Sequence, residues 1–195
     1  MRSARPAPLI PYRQGDLDGL CGIYAVINAI KLVIAPSPSI TDEHWYHLFS
    51  ELLAAADDAI GAVNATAGGI EARPLRKLLN CAVRHMEDEH DIEVTIKPLL
   101  AHKTRPHIED VCALIKEATA IPRSAVIISF GGPLDHWTVV TRVTATTFEL
   151  FDSVGLSRVH SSNLRMSYEA SAPGRRQHIV SRNAIFVVRV AEPPG

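Results

Sequence analysis

Cysteine is scarce in this chain, and its spacing excludes two architectures. Among 195 residues only Cys21, Cys81 and Cys112 occur, an odd set without CxxC spacing that suits neither a disulfide framework nor a structural zinc site. Excess charge is lacking too. Twenty Lys and Arg face 21 Asp and Glu, a formal charge of -1, so no long-range field draws the protein to nucleic acid or anionic lipid. Long apolar runs are absent: the richest stretch, Ile23 to Ile34, is interrupted by Asn28 and Lys31 and is too short to span a bilayer. Met1 to Pro11 carries three prolines and no apolar segment of signal-peptide length. No repeat at a period of 20 to 50 residues is found. The expectation is a cytoplasmic protein, or an effector exported without a classical signal, with neither nucleic-acid nor membrane partner and with its oligomeric state left open.

What is present suits a packed core. Hydrophobic residues are 47% and charged residues 21% of the chain, ordinary globular usage. Residues 1–11 and 192–195 read as tails and 12–191 as a single domain. Ile23, Val26, Ile27, Ile30 and Ile34 recur at the helical period and predict a core helix starting near Cys21. Thr41, followed by Asp42 and Glu43, predicts the N-terminus of a second helix through Trp45, Leu48 and Leu52. After Gly68-Gly69, Leu75 to Val83 predicts a third helix, and Ile108 to Glu117 a short fourth. The second half turns β-branched. Strands are expected over Ile92 to Ile96, Ala125 to Phe130, His136 to Thr141, Phe148 to Asp152 and Ala184 to Val190. The sum is an α+β arrangement, a helical half packed on a mainly antiparallel sheet.

Cys21 falls where chemistry is possible. A thiolate is stabilised by a helix N-terminus and a neighbouring imidazolium, and Cys21 follows the loop Gly15-Asp16-Leu17-Asp18-Gly19 and opens the core helix. His136 begins one strand and Asp152 ends the next. With the hairpin centred near residue 144, each lies eight residues from the turn, so the acid can orient the ring.

These residues resemble the papain-like cysteine peptidases, in the chain order Cys, His, Asp with a glutamine upstream. The matching text is Gln14 to Ala25, Asp135-His136-Trp137-Thr138 and Leu150-Phe151-Asp152-Ser153. The Cys-Gly pair looks most like the bacterial branch of C39-like peptidases, which process leader peptides after a double glycine. The resemblance implies a papain-like fold. It makes Cys21 the nucleophile, His136 the general base and acid, and Asp152 the orienting acid. Gln14 and the Cys21 backbone N–H become the oxyanion donors. Gln14 stands seven residues before Cys21, farther than in papain-type motifs, so Asp18 or a backbone donor is an alternative there.

Other features read as structure. Cys81 and Cys112 are expected to be core residues of amphipathic helices. His85 and His90 are five apart, unlike the i, i+4 spacing of HExxH, and read as a solvated helix end, so no metal ligand and no cofactor is assigned. Arg175-Arg176 reads as an exposed loop, and Trp45 and Trp137 as core or cleft aromatics. Asp152-Ser153-Val154-Gly155 lacks the first glycine of a GxSxG elbow. The function expected is a thiol hydrolase acting on a peptide or protein substrate, with a double-glycine or ubiquitin-like C-terminus among the candidates. An acyltransferase, transglutaminase-like or deamidating enzyme with the same site is the enzymatic alternative. An inactive binding module on the same fold is the other.

Overall fold

The computed structural model describes residues 9–16, 18–35, 40–174 and 176–190. Most of both tails, together with Leu17 and Arg175, lies outside the described residues. Among the described residues, five α-helices and seven strands follow in the order α1 (Cys21–Ile34), α2 (Asp42–Ile60), α3 (Ala62–Gly68), α4 (Ala72–His90), β1 (Val94–Pro98), α5 (Ile108–Ala120), β2 (Ser124–Gly131), β3 (His136–Val143), β4 (Thr147–Phe151), β5 (Arg158–His160), β6 (Leu164–Met166) and β7 (His178–Val190). One sheet runs β1-β7-β2-β3-β4-β5, antiparallel throughout, and β6 adds to β7 in parallel. The α+β class expected from the sequence is therefore observed.

Helices cover both faces of the sheet. Ala125, Ile127, Val139, Phe186 and Val188 pack toward α1, α2 and α4, whereas Val126, Ile128, Phe130, Val140 and Ile185 pack toward α5. This period-2 division explains why Ala125 to Ile128 is an unbroken apolar run: each face of β2 meets a different helical layer. α1 is buried nearly all round because α2 and α4 close over its outer side. No helix of the described residues is long and apolar enough to cross a membrane.

Several boundaries differ from the sequence-based expectation. α4 runs from Ala72 to His90, and β1 starts two residues later than expected, at Val94. β7 begins at His178 rather than Ala184, and α3, β5 and β6 are additional. The β3–β4 pairing places Val139 opposite Phe151 and Val140 opposite Leu150, then shifts register before Arg142 pairs with Glu149. Extending the first pairing sets Asp152 opposite Thr138, not His136. The hairpin centre thus lies about one residue later than its sequence suggests, because the turn closes between Thr144 and Thr147, and the extra residue at Thr141 recovers only part of that offset.

Candidate active site

Cys21 is the first residue of α1, whose first turn holds no acidic residue. The positive end of the helix dipole therefore faces the sulfur uncancelled from within the helix. The thiol is 9% exposed, less open than a loop-end position suggests, yet it lines a cleft of about 450 Å³. The loop in front is held by Asp18. Its Oδ1 accepts the Leu20 N–H at 3.0 Å and its Oδ2 the Gly15 N–H at 3.1 Å. Gly19 donates to the Thr66 carbonyl at 2.6 Å, and a Cβ there would meet the Gly69 nitrogen at 2.9 Å. Glycine is thus required where the loop before Cys21 abuts the cleft wall.

His136 and Asp152 meet despite the shifted register. Asp152 stands one position beyond the last β4 residue, diagonal to His136 on the same face, and diagonal neighbours are within reach of a ring. The ring Nε2–H donates to Asp152 Oδ2 at 2.7 Å in a buried pair. Asp152 Oδ1 accepts the backbone N–H groups of Val154 at 2.9 Å and Leu156 at 3.0 Å. The carboxylate is thus fixed from both sides, and burial, which would raise it, is outweighed by these bonds so that it lies below its ordinary value. Burial also pulls the His136 ring down. Hydrogen bonds to Asp152 and to Cys21 more than offset that and hold it at about 9. With Nε2 spent on Asp152, Nδ1 is the nitrogen left for the thiol.

Gln14 joins the same cleft. The backbone sets its position: Tyr12 and the buried Asn28 exchange two hydrogen bonds, of 2.7 and 3.1 Å, and the Gln14 N–H donates to the Ser153 carbonyl at 3.1 Å. Its Nε2 donates to the Asp18 carbonyl, which leaves the second amide hydrogen of that nitrogen for another acceptor. Asp18, the alternative named for that position, has its carboxylate engaged as the acceptor of two backbone N–H groups.

The opposite wall was not legible as a site. Ala67 to Ala72, with Ser129, Gly131, Ile179 and Ser181, completes the cleft; Gly68-Gly69 reads in the sequence only as a break. Trp137, expected to be a core or cleft aromatic, is both. Its indole N–H donates to the Ile70 carbonyl at 2.7 Å, tying β3 to that wall. Gly22 packs under it, where a Cβ would lie 3.1 Å from Leu75 and 3.5 Å from Trp137.

Two expectations elsewhere are corrected. Cys81 and Cys112 are half-buried rather than core, because each sits at the flank of its helix's apolar face. His85 is no solvated helix end: it is 4% exposed, its ring lies 5.6 Å from that of His90, and α2 covers it. Arg176 is exposed as expected.

The three thiols should differ sharply toward limiting iodoacetamide. Burial pushes Cys112 up to about 11 with Glu109 adding to it, and burial followed by the Glu51 charge raises Cys81. Cys21 has an imidazole and a helix N-terminus beside it, so peptide mapping should find it carboxamidomethylated first. Equal labelling of all three, or labelling only after denaturation, would remove Cys21 from the role of reactive thiol. No protein-family model, curated protein or solved structure matches this chain.

Proposed function

We propose that the chain is a papain-like thiol hydrolase that cuts a peptide or isopeptide amide through a thioester acyl-enzyme. The observation that carries this reading is the buried His136–Asp152 hydrogen bond on a cleft that Cys21 also lines, with Cys21 at a helix N-terminus. The order of elements supports the papain-like reading: a nucleophile on an N-terminal core helix, with base and acid on adjacent antiparallel strands.

The chemistry balances with these groups alone. The Cys21 thiolate forms a C–S bond to the scissile carbonyl carbon, and the carbonyl oxygen takes the charge. Gln14 Nε2 and the Cys21 backbone N–H donate to that oxygen. His136 gives its Nδ1 proton to the amide nitrogen, the C–N bond breaks, and the amine leaves. His136 then takes a proton from water, the hydroxide attacks the thioester, and the acid product departs as thiolate and imidazolium are restored. An amine in place of water gives acyl transfer at the same site. Glu71 and Asp135 are exposed at the cleft, and no Lys or Arg occurs among its described lining residues, so basic peptides are electrostatically favoured.

The test is mass spectrometry after exposure to vinyl-sulfone probes, one on a basic peptide and one on a ubiquitin-like tail ending in double glycine. A stoichiometric adduct on Cys21 supports the reading, and the probe that forms it names the substrate class. Absence of any adduct leaves the binding-module reading standing instead. Amide turnover should then fall as pH rises through about 9, where His136 loses the proton it must give the leaving amine. A turnover limb near the ordinary histidine range would mean that the Asp152 and Cys21 contacts do not govern the ring.

A further inference from the structure

α2 and α4 bring together side chains that the sequence keeps 34 residues apart. His47 and Glu51 stand one turn apart on α2, and His85 faces them from α4. One donor atom from each lies within 4.8 Å of the other two. His47 Nε2 is 3.8 Å from Glu51 Oε1, and His85 Nδ1 is 3.0 Å from Glu51 Oε2. The His85 side chain is 2% exposed, and its Nε2 is buried without a hydrogen-bond partner. Burying a polar nitrogen without a partner is unfavourable, and the ion pair with Glu51 through Nδ1 does not relieve it.

We propose that His47, Glu51 and His85 form a zinc-class metal site that clamps α2 to α4, separate from the cleft. Metal–ligand bonds of about 2.0–2.2 Å in a tetrahedron put donor atoms roughly 3.3–3.6 Å apart. The set needs a contraction of up to about 1.2–1.5 Å, and the two ligands free to make it are the more accessible ones, with side chains exposed at 59% for His47 and 39% for Glu51. His85 is the fixed ligand, and water completes the tetrahedron. Two imidazoles and one carboxylate select zinc, nickel or copper over magnesium and calcium, which require oxygen donors. His90 and His44 stay outside the donor set, their rings meeting each other edge-on at 4.9 Å, and His44 Nδ1 is engaged by the Thr41 N–H at 3.1 Å. Along α4, His85 lies 13 residues beyond Ala72 at the cleft, about 20 Å by helix rise. The site therefore stabilises the helical layer rather than taking part in the chemistry at Cys21.

The test uses the full chain, stripped by chelator and carrying Cys21→Ala so that the thiol cannot bind zinc. Calorimetric titration with zinc chloride should show one equivalent bound, and at roughly 100 times Kd the thermal midpoint should rise by about 5–10 °C. Magnesium and calcium should give no shift. His47→Ala removes an exposed ring, and Glu51→Gln keeps an amide oxygen to accept from His85 Nδ1, so each should weaken zinc by about 100-fold or more while shifting the metal-free midpoint little. Absence of zinc binding up to millimolar concentration overturns the proposal. So does binding that both variants leave unchanged, which would be adventitious chelation at other histidines.

Discussion

His136→Ala is expected to remove nearly all turnover and to cost stability as well. A positioned acid–base group supplies roughly 10²–10⁴-fold, and in the proposed mechanism the same ring also shuttles the proton in deacylation, so both half-reactions should fail together. The stability loss has a separate cause. Asp152 is wholly buried at its side chain, and deleting its partner leaves a carboxylate without its countercharge, a change worth about 3–5 kcal/mol. The geometry also revises what is expected of the acid. If Asp152 only oriented the ring, alanine there would be the mildest substitution of the site. Because Asp152 Oδ1 also holds the Val154 and Leu156 N–H groups, Asp152→Ala releases the turn that carries Ser153 and, through it, the Gln14 backbone. Asp152→Asn keeps an acceptor for those two backbone donors but turns an amide NH2 toward the His136 Nε2, so it spares the turn while removing the charge and the acceptor that set the ring's tautomer. Purified variants assayed on one substrate should rank His136→Ala below Gln14→Ala, whose single oxyanion bond is worth about 10²–10³ in kcat. Thermal melts should show Asp152→Ala well below Asp152→Asn. Equal midpoints for the two Asp152 variants would show that the turn stands without the carboxylate.

The pH dependence of stability follows from the same pair. The folded-state His136 value of about 9 lies above the ordinary 6.5. Its contribution is therefore complete below pH 6.5 and is lost as pH rises through 9. Asp152 has the opposite sign. Held below its ordinary value, it contributes fully above the normal carboxylate range and loses that contribution as the solution becomes acidic enough to protonate it in the fold.

The parts of this site legible in the sequence are those set by local pattern. The apolar stripe from Ile23 to Ile34 fixes where α1 begins, and so places Cys21 at its start. Two β-branched runs joined by a short turn fix that His136 and Asp152 share a hairpin, although not its register, because neither the closing pair of the turn, Thr144 and Thr147, nor the extra residue at Thr141 is marked by residue type in a run of threonines. Long-range pairing hid the rest. α3 is seven residues with only Ala65 buried, too little for a periodic stripe. The start of β7 reads as polar because Ser181 and Asn183 interrupt it, and its strand character comes from β2 on one side and β6 on the other. The histidines of α4 looked like a poor metal motif on their own helix, and only the docking of α2 supplies His47 and Glu51.

Cys21→Ala should bring turnover to the uncatalysed background while the protein stays folded. No other thiol lies in the described cleft lining, and without the C–S bond neither acylation nor the thioester exists, so the loss has no partial value. Packing argues for a small stability change. Cys21 belongs to the core cluster, but its sulfur borders the cleft, and its contact to the Gly19 carbonyl is a long 3.9 Å. Removing that single atom next to open space creates little enclosed cavity, on the order of 1 kcal/mol or less, which is about 2–4 °C at this chain length. The substitution also removes one of the partners that raise His136, so the alkaline loss of stability should begin at lower pH in the variant than in the parent. Melting curves at pH 7 and pH 9 with a turnover assay test all three consequences. A Cys21→Ala protein that retains turnover, or that unfolds at pH 7 as an emptied core position would, makes Cys21 a packing residue and removes the basis for thiol catalysis in this fold.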